Sequence, residues 1–525
     1  AAAGSVYLTG IDTNISSSDI TAAKDIDLTV TGSGNILIDE ILNTNDGYIK
    51  LTTDNGIDIN NLISASKDVT IDAKGGSVTQ AEGLDKAISA GGNLSISAQG
   101  DIGAAENKHL SVTTGGKADL TGDNVYLKSP ESNLTLGSVN SAGVVDIKTE
   151  TSGNINLDGL VTGSQVSLNA ADGIYQIAQG KTIDTQGALS LIANKESIGQ
   201  KGSAISFSAG SVSADAAKSV VLLGENTDIN TQSVRATENI DLTTTGTGKI
   251  TISNELSTQD GYINLDSAQN LDIQHNLSAG EYITLNANGG IVQHKGAKIE
   301  SGTSSSVTDG SITVTNSGTG GIQLSDGITS HKGNITVTNN ASGENANIEM
   351  TSALAYDGTV NITNSAQNND VILGSIVSDG QNNEVNIDSA GQILGTDTII
   401  SSGDVNLNAV SNIGASSSLL DISSQGNVNA TGDNIYLGGN SNAFNVGEIA
   451  ANNTVRIENT GTDINLNGSI QGSDVILKAQ NNILQTSTGK TITADNLDLF
   501  TASGNIGSVG QAIAFEAGTV KAEAV

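Results

Sequence analysis

Cysteine and tryptophan are missing from this 525-residue chain, proline and methionine occur once each, and aromatic residues make up 2% of it. Without cysteine there is no disulfide and no thiolate metal site. Nor can such a chain be trapped by oxidation while it crosses a periplasm unfolded. The lone proline, Pro130, leaves strand ladders free of a residue that deletes their donors. There are only two arginines, Arg235 and Arg456, so no phosphate-gripping cluster exists. Acidic residues outnumber basic ones 56 to 22, a formal charge of -34. That surface repels nucleic acid and anionic lipid, so neither is an expected partner. Long apolar runs are also absent. Val220-Val221-Leu222-Leu223 is typical, against the ~20 residues a membrane span needs, so no membrane insertion is expected. Ala1-Ala2-Ala3-Gly4-Ser5 lacks both the basic and the apolar region of a leader, and reads as mature or internal chain.

What the chain does have is repetition. A phrase Gly-x-apolar-x-apolar recurs from end to end, as Gly34-Asn35-Ile36-Leu37-Ile38, Gly92-Asn93-Leu94-Ser95-Ile96, Gly153-Asn154-Ile155-Asn156-Leu157, Gly261-Tyr262-Ile263-Asn264-Leu265 and Gly403-Asp404-Val405-Asn406-Leu407. Each is a turn followed by a short strand with one apolar face. Equivalent triplets, such as Ile26-Asp27-Leu28, Tyr48-Ile49-Lys50-Leu51 and Val69-Thr70-Ile71, follow one another at intervals of about 20–25 residues. One such unit cannot bury its own face, so units must stack. The expected fold is an all-β parallel β-helix, one continuous solenoid over 1–525 with two or three short strands per coil. Some 24 coils at ~4.8 Å would make a rod of roughly 115 Å. Middle residues such as Asp27, Lys50, Ser95, Asn156 and Asn264 should point outward, and stacked asparagines should form ladders. The 63 glycines supply turn positions.

A coarser repeat lies over the fine one. Residues 26–51 return without gaps as 240–265, and 90–212 return as about 400–520. Large units open near Val6, Val125, Val220 and Ile435, with room for two between 220 and 434. Neither end shows a polar cap, which suggests a longer parent.

The unit junctions carry Ile-Gly, a gap, an apolar-x-apolar strand, then Val-Tyr-Leu or a relative. The motif reads Ile102-Gly103 with Leu110-Ser111-Val112 and Val125-Tyr126-Leu127, then Ile198-Gly199 with Ile205-Ser206-Phe207 and Val220-Val221-Leu222. It returns as Ile413-Gly414 with Leu420-Asp421-Ile422 and Ile435-Tyr436-Leu437, and as Ile506-Gly507 with Ile513-Ala514-Phe515. Over nearly the whole chain this resembles the repeat region of the filamentous-haemagglutinin-like large exoproteins of Gram-negative bacteria. The resemblance implies a right-handed coil, type V (two-partner) export through an outer-membrane transporter, and a secreted or outer-cell-surface location. It further implies a role in adhesion and biofilm, with a host or neighbouring-cell surface or an extracellular polysaccharide as partner. The family's N-terminal secretion domain, with its Asn-Pro motifs, is not seen, since no proline precedes Pro130.

Chemistry is sparse. Enzymatic β-helices need clustered carboxylates beside a basic residue. The densest groups here, Asp39-Glu40 and Glu225 with Asp228, read as solvated surface, and no catalytic or cofactor residue is assigned. His109, His275, His294 and His331 lie far apart, although the 19 residues between His275 and His294 would stack them one coil apart. No third metal ligand is evident. Asp12, Asp46 and Asp123 fall in turns that admit at most weak calcium, and the calcium-binding Gly-Gly-x-Gly-x-Asp repeat is absent. Thr313-Val314-Thr315 and Thr336-Val337-Thr338 have the spacing of an ice-binding ladder, but only locally. The reading is a non-enzymatic stalk or fibre segment of a bacterial adhesin. Two alternatives stand beside it: a matrix or sheath component that self-associates laterally, and a polysaccharide lyase or hydrolase.

Overall fold

The computed structural model describes residues 3–18, 20–106 and 108–525; Ala1 and Ala2, part of the stretch read above for a leader, lie outside them. Among the described residues there are strands and turns and no helix. The chain forms two compact units, Ala1–Gly248 and Lys249–Val525. Each is a parallel β-solenoid, and about 24 turns of some 22 residues are wound in all.

Each coil has a straight side and a bent side. In the first unit the straight side stacks Val6–Ile11, Ile26–Thr31, Ile49–Thr53, Val69–Ala73 and Leu94–Ala98 in parallel register, Val6 on Ile26, Ile26 on Ile49, Ile49 on Val69 and Val69 on Leu94. The bent side is built from pairs of short legs, such as Ile36–Ile38 with Leu42–Thr44 and Ile57–Ile59 with Ile63–Ala65. Alternation dictates which atoms meet. Ile26, Leu28 and Val30 are fully buried while Asp27 and Thr29 between them are half-exposed. Ile263 and Leu265 are buried and Asn264 faces out, as the strand phase requires. Like stacks on like along the core, which is aliphatic almost throughout; Phe207 is its largest fully buried side chain.

The last inward position of many strands is polar, and it closes the following turn. The buried hydroxyl of Thr149 donates to Gly153 O at 2.7 Å, that of Ser267 to Asn270 O at 2.8 Å and that of Ser389 to Gln392 O at 2.9 Å. At other coils an asparagine takes the place: Asn364 Nδ2 donates to Asp370 O at 3.0 Å and Asn459 Nδ2 to Asp463 O at 2.8 Å. A polar atom in the core is stabilising only when bonded, and these five side chains each satisfy a turn carbonyl.

The junction motif marks where the two sides exchange character. Ile102 and Leu110–Thr114 are the last bent pair on their side, and both register on one straight strand, Ile102 on Val125 and Leu110 on Leu127. The opposite side lengthens into Leu134–Ser141, whose two halves register on separate legs, Leu134 on Ile155 and Val139 on Val161. The exchange recurs at Val220, which takes Ile198, while Ile205 takes Leu222. In the second unit Ile413 sits on Ile435 and Leu420 on Leu437. There the straight side runs in unbroken register from Ile263–Ser267 to Val428–Gly432 before that exchange.

The glycine of the motif follows from this geometry. Gly103, Gly199, Gly414 and Gly507 have φ of +68°, +68°, +66° and +77°. Each N–H donates to the coil behind at 2.8 Å, Gly103 to Val78 O and Gly199 to Ile174 O among them. A Cβ on Gly199 would stand 2.4 Å from Val221 O, and one on Gly414 2.3 Å from Tyr436 O. The chain leaves the core after a single bridging isoleucine, and only glycine turns that way so close to the next backbone.

Candidate functional site

Asn and Asp at the coil corners do structural work. The residue before a strand commonly points its Oδ1 at the N–H of its counterpart one coil on. Asp68 accepts from Asn93 N at 2.7 Å, and Asn93 from Lys117 N at 2.9 Å. Asp101 accepts from Asn124 N at 3.1 Å, and Asn124 from Val144 N at 2.8 Å. In the second unit Asn347 serves Asp370 N and Asp370 serves Gln392 N, both at 2.8 Å. Stacked strands leave the N–H just before each strand without a ladder partner, and a short side chain in the preceding coil supplies one. Part of the negative charge is thus a by-product of this corner chemistry.

These bonds hold carboxylates ionised. Asp172 lies below the usual carboxylate range because Gly153 N–H donates to it at 2.8 Å and Lys195 Nζ at 3.0 Å. Asp39, half of the densest acidic pair in the sequence, is lowered by Ser16 Oγ at 2.5 Å and Asn60 Nδ2 at 2.8 Å. Glu225 accepts from Ser206 Oγ at 3.1 Å. Asp46 pairs with Lys67 at 3.2 Å. Asp12 has φ of 51° and accepts from Ser33 N at 3.1 Å, which ties two coils together.

The four histidines are in separate places. His294 Nε2 meets Asp272 Oδ1 at 2.7 Å, one coil back, rather than forming a ligand set with His275. His331 stacks on Tyr356 of the next coil, ring centroids 5.5 Å apart. His109 alone is buried, at 4% exposure. Its Nδ1 lies 2.9 Å from Glu106 O and its Nε2 3.0 Å from Asp146 Oδ2, with Tyr126 edge-on at 5.8 Å. The contact draws Asp146 below its ordinary range, and it ties the loop after Gly103 to a strand of a later coil. Among the described residues no three of His, Cys, Asp and Glu converge as metal ligands. The Thr-x-Thr phrases do stack, Thr313 on Thr336 and Thr315 on Thr338, but the next coil presents Asn361 with Thr363. From there an asparagine ladder runs outward, Asn386 to Asn361 at 3.0 Å, Asn406 to Asn386 at 2.7 Å and Asn429 to Asn406 at 2.8 Å.

One set of residues escaped the sequence reading. At three junctions a glutamine ends the strand one coil before the Ile-Gly. Gln80 accepts from Ser111 N at 2.7 Å and donates to Leu84 O at 3.1 Å. Gln176 accepts from Ser206 N at 2.7 Å and donates to Gly180 O at 2.8 Å. Gln485 accepts from Ala514 N at 2.8 Å and donates to Lys490 O at 2.9 Å. Each spans the gap that the shortened coil leaves. At the fourth junction the equivalent place is Gly395, and Leu420 fills it. A polar residue in an inward slot was the available signal.

The chain was compared with protein-family models, with curated proteins and with solved structures, and none of them matches it.

Proposed function

We propose that this chain is a stalk or fibre segment of a bacterial adhesin, secreted or held at the outer cell surface. The reading is supported most by the unbroken register of the straight sides. Ile263, Ile283, Ile312, Ile335, Val360, Val385, Val405 and Val428 follow one another with like residues stacked. Strand hydrogen bonds between coils and a continuous aliphatic core give a stack that transmits tension and holds a binding end at a distance. The junction motif, with its positive-φ glycine, supports membership of the filamentous-haemagglutinin-like exoproteins. On that reading an outer-membrane transporter exports the parent, and the target is a host or neighbouring-cell surface or an extracellular polysaccharide. Carboxylates committed to coil corners favour a scaffold over a lyase. The test is incubation with pectin and alginate, with and without calcium. No new chain ends are expected. Turnover abolished by a single Asp or Glu substitution would replace the stalk with a polysaccharide-cleaving enzyme.

A further inference from the structure

Two junctions hold their loops by the same contact with different chemistry. In each, a carbonyl of the loop after the Ile-Gly is met by a side-chain nitrogen. At Ile413-Gly414 the donor is Arg456, whose Nη1 lies 3.2 Å from Ser416 O. At Ile102-Gly103 the nitrogen is His109 Nδ1, 2.9 Å from Glu106 O. The strands behind these contacts correspond, since Arg456 registers on Tyr436 and Asp146 on Tyr126. Where the second unit has a guanidinium the first has a carboxylate, and His109 Nε2 lies 3.0 Å from its Oδ2. An arginine, which keeps its charge, is thus replaced by a histidine–aspartate pair, which does not.

Both ring nitrogens of His109 face acceptors. A carbonyl and an ionised carboxylate offer lone pairs and no proton. Only imidazolium donates to both, and neutral imidazole in either tautomer turns a lone pair on one of them. The ring is buried, so solvent does not replace the lost bond. Its titratable neighbours keep their charge states near neutral pH. The His109 bond draws Asp146 down, and burial pushes Tyr126 up, so the carboxylate stays charged and the phenol neutral. The charges next out are Asp101 beside Tyr126 and Lys148 beside Asp146, one of each sign. Glu106 and Lys108, on the loop itself, are exposed and also of opposite sign.

We infer that His109 is a pH-operated clasp, which holds the loop after Gly103 to the strand Val144–Thr149 while its ring is charged and gives up one partner as pH rises through the histidine range, ~6.5. The Arg456 junction makes the matching contact without the switch. The ring must be charged and Asp146 ionised, so the clasp is whole at about pH 5 and broken at about pH 8.

Amide exchange of the full chain at these two pH values, corrected for the intrinsic rate, tests this. The reporters are Ala104, whose N–H donates to Lys108 O at 2.9 Å, and Ala415, whose N–H donates to Ser418 O at 2.9 Å. Protection at Ala104 should fall about 10-fold or more on going to the higher pH, the effect of losing one hydrogen bond to a charged group. Protection at Ala415 should not change. Asp146→Asn, at a half-exposed position, should move the fall at Ala104 to lower pH, because the ring loses the charge that favours its protonated form. His109→Gln should abolish the pH dependence, since its amide offers the same donor throughout. Flat protection at Ala104 or an equal fall at Ala415 would overturn the proposal. So would a fall that survives His109→Gln or stays at the same pH in Asp146→Asn.

Discussion

Replacing Gly199 with alanine separates two contributions that the junction geometry combines. Its φ of +68° costs an L-residue about 1–2 kcal/mol. Its new Cβ would also lie 2.4 Å from Val221 O and 3.2 Å from Ile205 N, both backbone atoms fixed by the next coil. Overpacking of that kind costs about 1–3 kcal/mol more, for a total of roughly 2–5 kcal/mol. Gly202, three residues on, is the internal control. It has φ of +85° and nothing within 4 Å of a built Cβ, so only the strain applies. Part of that strain is offset by about 0.4–1 kcal/mol from a stiffer unfolded chain. Long repeat arrays depart from two-state unfolding, so a local readout reports the joint most directly. Amide exchange at Val221, whose N–H donates to Ile198 O at 2.8 Å, reports the joint itself. Gly199→Ala should accelerate that exchange about 30-fold or more, and Gly202→Ala by about 10-fold or less. Equal acceleration by the two would refute the claim that close approach of the next coil, and not the turn alone, demands glycine.

Ile263→Asp should cost several kcal/mol, because it buries an unpaired charge at a fully enclosed position, while Asn264→Asp should be nearly silent; thermal denaturation of the two compares them. Deleting residues 125–219 should leave a folded, shorter chain, because Val220 would take the bridge to Ile102 that Val125 makes; loss of the strand signature in circular dichroism would contradict it. Acid should weaken the fold. Asp39, Asp146 and Asp172 have folded pKa values below their unfolded ones, so their contribution is fully present above about pH 4 and is lost as pH falls through the lower folded values. Urea titrations between pH 7 and pH 2 should show the midpoint dropping below pH 4, and a flat profile would contradict a stabilising role for the bonds to these three carboxylates.

Strand phase was legible because period-two alternation writes it directly, as in Ile263-Asn264-Leu265. Coil spacing was legible for the same reason, and so was the asparagine ladder. The exchange of straight and bent sides was not. A three-residue leg such as Ile57-Asp58-Ile59 and a straight strand such as Val69-Thr70-Ile71 share one apolar-x-apolar phrase, and only pairing partners tell them apart. The coarse repeat pointed to Val125, Val220 and Ile435 without saying what happens there. The corner role of Asp and Asn was hidden because its acceptor and donor lie a whole coil apart, beyond any local pattern. Val371-Ile372-Leu373, Ile393-Leu394 and Ile399-Ile400 break the alternation, and only the structure shows that stacking sets Ile372 on Leu394.

The central claim is that tension is carried by coils, each held by its neighbours. Single-molecule extension of the chain by its two ends tests this most directly. Each coil of some 22 residues hides about 75 Å of extended chain. The predicted trace rises through many small releases at integer multiples of that length. Two abrupt releases, each of an entire compact unit with no coil-sized step, would contradict the account.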